Sequence, residues 1–285
     1  MGSCNVGSER IEMNSSLRRG LVLLLLAWSL GPLLWQLYTS FSSDEALITP
    51  FASVPNRWTL AHYRSVLTGT PPFWRYLLNS LIVGTGSTVL TLLIATPAAY
   101  ALSKLRTRVG LIARATLIAA ALFPYVLLFL ALLDVARTLH LGNSLVALMV
   151  PYAALSQPLA LLLLLAAFQD LPSDLEDAAK LEGLGLWQRL RWVLVPLLAP
   201  ATTSTAILVF LFSWNEYPIA LTWISDASLL TLPVAMARLA GSSIYSVPYG
   251  AYAAATVLAS VPLVLLVLVF QRSIVSGLTR GAVKG

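Results

Sequence analysis

The chain has 285 residues, of which 58% are hydrophobic and 11% charged, where a soluble domain carries about 25% charge. That balance excludes a soluble enzyme, a disordered regulator and an ordinary nucleic-acid binder. The net charge of +6 fits basic flanks of apolar segments better than a nucleic-acid surface. A single cysteine, Cys4, excludes an internal disulfide framework, and the two histidines, His62 and His140, leave little for a metal centre.

Residues 1–16 are polar and are expected to form a disordered cytoplasmic N-terminus, with a membrane domain over 17–285. A helix crossing the hydrocarbon core needs about 20 mostly apolar residues. Six stretches qualify: Leu21–Phe41, Leu77–Leu102, Leu111–Leu133, Leu145–Phe168, Ala199–Thr222 and Gly250–Phe270. Backbone amides in hydrocarbon must be satisfied internally, and these Leu/Ala/Gly-rich runs lack barrel alternation, so they are predicted helices. The first is too long for a signal peptide and has no small-x-small cleavage site close behind it, so it reads as a retained anchor. Pro32, Pro124, Pro151, Pro158, Pro218 and Pro262 fall within the spans, and each invites a kink.

Placing the N-terminus inside puts 13 of the 18 Lys and Arg residues on inner segments and 5 on outer ones, which predicts both termini to be cytoplasmic. The fold class is therefore all-α, a polytopic membrane protein of six spans. Its first outer loop, Ser42–Tyr76, carries Pro50, Pro55, Pro71, Pro72, Trp58 and Trp74, and reads as a cap on the membrane surface. With Trp35 and Tyr38, these tryptophans fit an outer aromatic belt.

The inner loop 169–198 concentrates seven charges between Asp174 and Arg191. Ser173 and Glu176 form a Ser-x-x-Glu pattern, which predicts a capping box. Lys180 stands four residues after Glu176, the favourable order for an ion pair. A helix of about nine residues, roughly 13 Å long, is expected to stop at Gly183 in the left-handed conformation. Leu175, Ala178, Ala179 and Glu182 would share one face, small at its centre and open to a partner protein; a solvated amphipathic loop is the plainer alternative. A second helical stretch, Trp187–Val195, is predicted to return to the membrane before Pro196.

Glu216 is a carboxylate inside the fifth span, expensive there and so a functional candidate. With Trp214 and Asn215, and with Gln157 beside Pro158 as a weaker member, it could bind a sugar hydroxyl, line a gate or tie helices together. Gly84-Thr85-Gly86-Ser87-Thr88 lacks the spacing and the Lys of a phosphate loop and is better explained by helix packing. No nucleotide motif, catalytic triad or metal cluster stands out, so neither an enzyme nor a cofactor is expected. Asn79-Ser80-Leu81 recurs as Asn143-Ser144-Leu145, too short a match to establish a repeat.

The run Glu176-Asp177-Ala178-Ala179-Lys180-Leu181-Glu182-Gly183, followed by Leu194-Val195-Pro196 and Pro200, resembles the EAA motif of permease subunits in ATP-binding-cassette importers. Glu182 replaces the usual Asp, and Leu184 the usual small residue. Asn79-Ser80-Leu81, Phe212-Ser213-Trp214-Asn215-Glu216 and the tail 271–285 narrow the resemblance to MalG-type carbohydrate permeases. It implies a type I importer fold in a bacterial or archaeal cytoplasmic membrane, surrounded by lipid. It also implies a heterodimer with a second permease subunit, two ATPase subunits below and an extracytoplasmic sugar-binding protein above. By that resemblance Glu176, Ala178, Ala179, Glu182, Gly183 and Pro196 couple to an ATPase, and tail residues Gly277, Leu278, Thr279 and Lys284 lie against the ATPase dimer. Ala240-Gly241-Ser242-Ser243 would approach the binding protein. A neutral mono- or oligosaccharide is the expected solute, with a glycerol-phosphate-type solute, or a proton-coupled carrier acting through Glu216, as the alternatives.

Overall fold

The computed structural model describes residues 15–48, 57–139, 141–240 and 248–282, with side chains to Gln271. Among the described residues every regular element is helical. Helix α1 (Ser15–Phe41) is followed by two short helices, α2 (Asp44–Ile48) and α3 (Ala61–Leu67), and then by the long α4 (Phe73–Lys104). Next come α5 (Arg108–Leu122), α6 (Phe129–Thr138) and α7 (Leu145–Gln169). The inner loop contributes α8 (Ser173–Leu181), α9 (Leu186–Gln188) and α10 (Val195–Leu197), and the chain ends with α11 (Ala199–Asn215), α12 (Pro218–Trp223), α13 (Leu232–Ala240) and α14 (Tyr249–Ala282).

The centre is the pair α4 and α7, with α11 laid across it. On α4 every fourth residue from Val83 to Ala99, through Ser87, Thr91 and Ala95, is at most 1% exposed, a straight stripe of mainly small side chains. A second helix can approach such a stripe closely, and in lipid close packing rather than water exclusion drives helix association. Gly84 and Gly86 continue the effect. A Cβ on Gly84 would lie 2.9 Å from the Phe210 ring, and one on Gly86 would lie 2.6 Å from Met149 Sδ. The Gly84–Thr88 stretch is thus packing surface. Facing it on α7 are Tyr152, Ala153, Ala160 and Leu164, all buried. Helix α1 is the opposite case. Leu24 and Trp28 are 63% and 81% exposed and the helix is apolar all round, as suits a surface turned to lipid. It packs on α14.

Four helices are long and apolar enough to cross a membrane without a break: Ser16–Phe41, Phe73–Lys104, Leu145–Gln169 and Tyr249–Gln271. The other two expected spans are bent pairs. Helix α5 meets the segment Tyr125–Thr138 at 87°, and the segment Leu186–Leu197 meets α11 at 80°. The span expected over Leu111–Leu133, with a kink invited at Pro124, is broken by a sharp bend at Phe123. The cause is Pro124, which lacks an N–H and forces its predecessor out of helical geometry; Phe123 sits at φ −71°, ψ 130°. The span expected over Ala199–Thr222 also stops early, because Glu216 is extended at φ −67°, ψ 127°. Pro32, Pro151, Pro158 and Pro262, by contrast, lie inside continuous helices, as does Pro97 of α4.

The described part of the outer loop forms a folded cap. The Tyr63 ring lies 5.1 Å from that of Phe41, and its hydroxyl is 2.8 Å from Ser40 Oγ. His62, 7% exposed, bonds the Ser42 carbonyl at 2.9 Å and fills the space where a Cβ on Gly250 would stand. That contact locks α3 onto the start of α14. Trp35 stacks on Tyr38 and Trp58 meets Tyr38 edge-on, with centroids 5.7 Å apart in each pair, and Trp74 is 55% exposed. Pro50 and Pro55 lie outside the described residues.

Candidate functional site

Helix α8 has the predicted nine residues, Ser173–Leu181, and ends as the sequence suggested. Gly183 is at φ +78°. Its N–H bonds the Lys180 carbonyl at 3.0 Å, and the Leu184 N–H bonds the Ala179 carbonyl at 3.1 Å. This double bond pattern is a Schellman stop, which satisfies carbonyls that the helix end would otherwise orphan.

The start of α8 differs from expectation. No side chain caps it; Ser173 Oγ instead donates to Asp174 Oδ1 at 3.4 Å. Glu176 does not reach back to the helix start, because stronger donors sit on the other side. It is 6% exposed and accepts from Tyr100 Oη at 2.8 Å, from Lys104 Nζ and from Arg189 Nη1 at 3.4 Å. Lys180 Nζ stands 3.5 Å from the same carboxylate and donates to Asp177 at 2.9 Å. Charge-assisted bonds of this kind outweigh a neutral backbone cap. Burial pushes the Glu176 carboxyl upward, but the bonds from Lys104 and Tyr100 and the nearby Lys charges overcome it and hold the group below its ordinary range.

One carboxylate therefore joins the last turns of α4, helix α8 and the return segment. Beneath it lies an apolar cluster of Tyr100, Leu102, Phe168, Leu190, Leu194 and Leu198, with Tyr100 edge-on to Phe168 at 5.6 Å. Ala179 is 5% exposed and so leaves the outward face assigned to it. The outward face consists of Leu175, Ala178, Leu181 and Glu182. Leu181, 90% exposed, is the residue sequence reasoning missed there; a leucine in the last turn of a polar helix, three residues after Ala178 on the same face, was the available signal. The return segment is helical from Leu186 to Leu197, with a π-helical turn over Arg189–Leu194. Pro196 consequently lies inside this segment, not beyond it, in the first turn of α10, where a missing N–H is tolerated.

Glu216 sits at a helix break, 2% exposed. It accepts from Tyr152 Oη at 2.5 Å, from the Ile219 N–H at 2.9 Å and from the Ala220 N–H at 3.2 Å. It thus caps α12 and ties it to α7, the helix-tying member of the three roles considered. Trp214 is buried against Phe210, with centroids 5.5 Å apart. Gln157 Nε2 bonds the Thr91 carbonyl at 3.3 Å, while its Oε1 is buried without a partner. Asn215 is exposed and bonds the Leu211 carbonyl at 2.8 Å. The four residues grouped by sequence thus share no partner, and of the four only Asn215 is exposed.

The two Asn-Ser-Leu triplets converge on one loop. Asn79 Nδ2 donates to the carbonyls of Ser228 and Leu230 at 3.0 Å, and Ser80 Oγ accepts from the Leu232 N–H at 2.8 Å. Asn143, at φ +56°, accepts through Oδ1 from the N–H groups of Ser225 and Asp226 at 3.1 and 3.0 Å. Together they clasp residues 225–232, which lead into α13. Gly277, Leu278 and Thr279 fall within α14, so the expected tail continues the membrane-length helix Tyr249–Gln271. Lys284 and residues 241–243 lie outside the described residues.

Residues 92–280 match the family described as "Binding-protein-dependent transport system inner membrane component". The chain belongs to that family. Among relatives of this transport component is the sulfoquinovosyl glycerol transport system permease protein SmoH of Agrobacterium fabrum, 38% identical over 92% of this chain and 91% of that one. The trehalose transport system permease protein SugB of Mycobacterium tuberculosis is 36% identical over 92% and 95%. The trehalose/maltose transport system permease protein MalG of Thermococcus litoralis is 37% identical over 92% and 94%. In fold the chain is similar to a solved bacterial ABC transporter involved in the import of the acidic polysaccharide alginate, with a TM-score of 0.76, 21% identity, and coverage of 90% of this chain and 94% of that one.

Proposed function

We propose that this permease component carries a neutral sugar through the cytoplasmic membrane of a bacterium or archaeon as one half of a heterodimeric pore, with both termini and α8 on the cytoplasmic side. Six spans follow if each bent pair crosses once. The reading takes its solute from relatives whose names specify trehalose and trehalose/maltose. Neutrality is favoured by the absence of Lys and Arg from α7 and α11 and from the middle of α4. A proton-coupled route through Glu216 finds little support, since its carboxylate is enclosed by three donors. ATP hydrolysis is assigned to separate subunits, and delivery of the sugar to an external binding protein.

One observation carries the coupling role: α8 is fastened inward by Glu176 and leaves Leu175, Ala178, Leu181 and Glu182 outward, just ahead of the glycine stop. An ATPase subunit docks on that face, and its movement reaches α4 through Glu176, Lys104 and Tyr100. Ala179, Gly183 and Pro196 set the shape of the turn; Gly277, Leu278, Thr279 and Lys284 meet the ATPase dimer; and Asn215 borders the pathway, with Trp214, Glu216 and Gln157 holding the helices around it. The test is a Leu181→Cys variant in the full chain, purified with its co-expressed subunits. With Cys4 replaced by Ser and a benzophenone maleimide on the introduced thiol, photo-capture of an ATPase subunit, with uptake of labelled trehalose that requires ATP, is the expected result. Uptake without any associated ATPase would overturn the reading.

A further inference from the structure

A groove runs between α4 and the return segment, and neither the coupling role nor the pore uses it. Its walls are two stripes at four-residue spacing, Val89, Leu93 and Pro97 on one side and Trp187, Arg191 and Val195 on the other, enclosing about 360 Å³. A second cavity of about 250 Å³ adjoins it, sharing Trp187 and Arg191 and adding Gln188 and Trp192. The pair is thus apolar along its body and polar at its mouth.

Two arginines of the return segment have different fates. Arg189 is spent on Glu176 and is 14% exposed. Arg191 is exposed, and among the described residues no carboxylate pairs with it. An unpaired guanidinium flanked by Trp187 and Trp192, 65% and 61% exposed, matches an interfacial belt with one fixed cation. From Val89 to Pro97 the groove descends about 12 Å, roughly one leaflet of a hydrocarbon core about 30 Å thick. A purely apolar occupant would leave Arg191 unused, and a soluble anion would leave the body of the groove unused. An anionic amphiphile uses both.

We propose that this groove is a binding site for an anionic phospholipid of the cytoplasmic leaflet, one acyl chain lying along Val89, Leu93 and Pro97 and the phosphate on Arg191. The choice of leaflet rests on the orientation proposed above. The full chain, purified with its co-expressed subunits and stripped of lipid in detergent, is titrated with dioleoyl phosphatidylglycerol, dioleoyl phosphatidylcholine or inorganic phosphate, and bound molecules are counted by native mass spectrometry. One phosphatidylglycerol per chain should be retained in preference to phosphatidylcholine, and millimolar inorganic phosphate should not displace it. Arg191→Gln should weaken that retention about tenfold, the scale of one charge-assisted contact, and Leu93→Trp should abolish it by filling the groove.

Equal retention of the two lipids, retention unchanged by both variants, or displacement by inorganic phosphate alone would overturn the proposal. So would cross-linking of a Leu93→Cys variant to a second permease subunit, which would make the occupant a protein. ATPase co-purification is read from the same preparation. Loss of the ATPase with lipid selectivity intact would therefore count against the permease reading and not against the lipid site.

Discussion

Two buried carboxylates, at the two ends of the molecule's polar anatomy, are held in opposite ways. Glu216 is satisfied by neutral donors, two of them backbone N–H groups three and four residues ahead. Glu176 is satisfied by a phenol and by cations on three separate segments. A carboxylate capping the next helix fixes a local shape, here the break between α11 and α12. A carboxylate gathering long charged side chains from distant segments joins those segments, and its bonds can rearrange without disrupting a helix. The first arrangement suits a rigid corner and the second a joint that transmits movement.

The sharpest way to break the contrast is Glu216→Leu. It strips acceptors from two buried N–H groups and the Tyr152 hydroxyl, each worth about 1–3 kcal/mol when left unsatisfied. The expected outcome is about 3 kcal/mol of lost stability or more, seen as a large fall in melting temperature in detergent. Glu216→Gln keeps one acceptor oxygen and should lose less than half as much. If the leucine variant melts normally, the corner is not held by this residue.

Glu176→Gln should behave differently. The side chain keeps its shape, so folded yield and melting temperature should change little, by about 1–2 kcal/mol for a weakened charged bond. The ratio of sugar transported to ATP hydrolysed should instead fall several-fold. Pairing Glu176→Lys with Lys104→Glu should restore part of that ratio, an outcome that simple damage to α8 does not produce.

Next in size is the glycine stop. With nothing within 4 Å of a Cβ at Gly183, only its φ of +78° opposes a side chain. Gly183→Ala should therefore destabilise the α8 turn by about 1–2 kcal/mol, and Gly183→Asn by less, measured by amide exchange of residues 178–184.

The smallest effect is that of pH. The Glu176 carboxyl is held below its ordinary value of 4.5. Its contribution is therefore fully present above about pH 4.5 and is lost as pH falls through the lower, folded-state value. The protection of α8 amides, corrected for the intrinsic pH dependence of exchange, should stay unchanged from about pH 7 to 5 and fall only below about 4.5.

Much of this architecture was legible in the residues. The apolar runs located α4 and α7 to within a few residues but missed the extension of α14 to Ala282, and the left-handed stop at Gly183 followed from glycine after a nine-residue helix. Tertiary competition was not legible. The Ser-x-x-Glu pattern predicts a local cap, but Lys104 lies 72 residues away in sequence and offers a stronger partner. Prolines marked where kinks could fall, but not which would break a helix: hydropathy is indifferent to backbone direction, and proline is harmless at Pro97, Pro151 and Pro158 yet decisive at Pro124. The two Asn-Ser-Leu triplets were visible as text. Only the structure brings their side chains to one loop.

Helix α14 runs unbroken for 34 residues, about 51 Å. One end is keyed to α3 by His62 against Gly250, and the other carries the C-terminal tail. It is a lever. A tilt of roughly 10° pivoting at the keyed end would sweep the tail sideways by about 9 Å, given the helical rise, with Pro262 as the place where the shaft can flex. A push on the cap and a push on the tail are then one mechanical event felt at two ends.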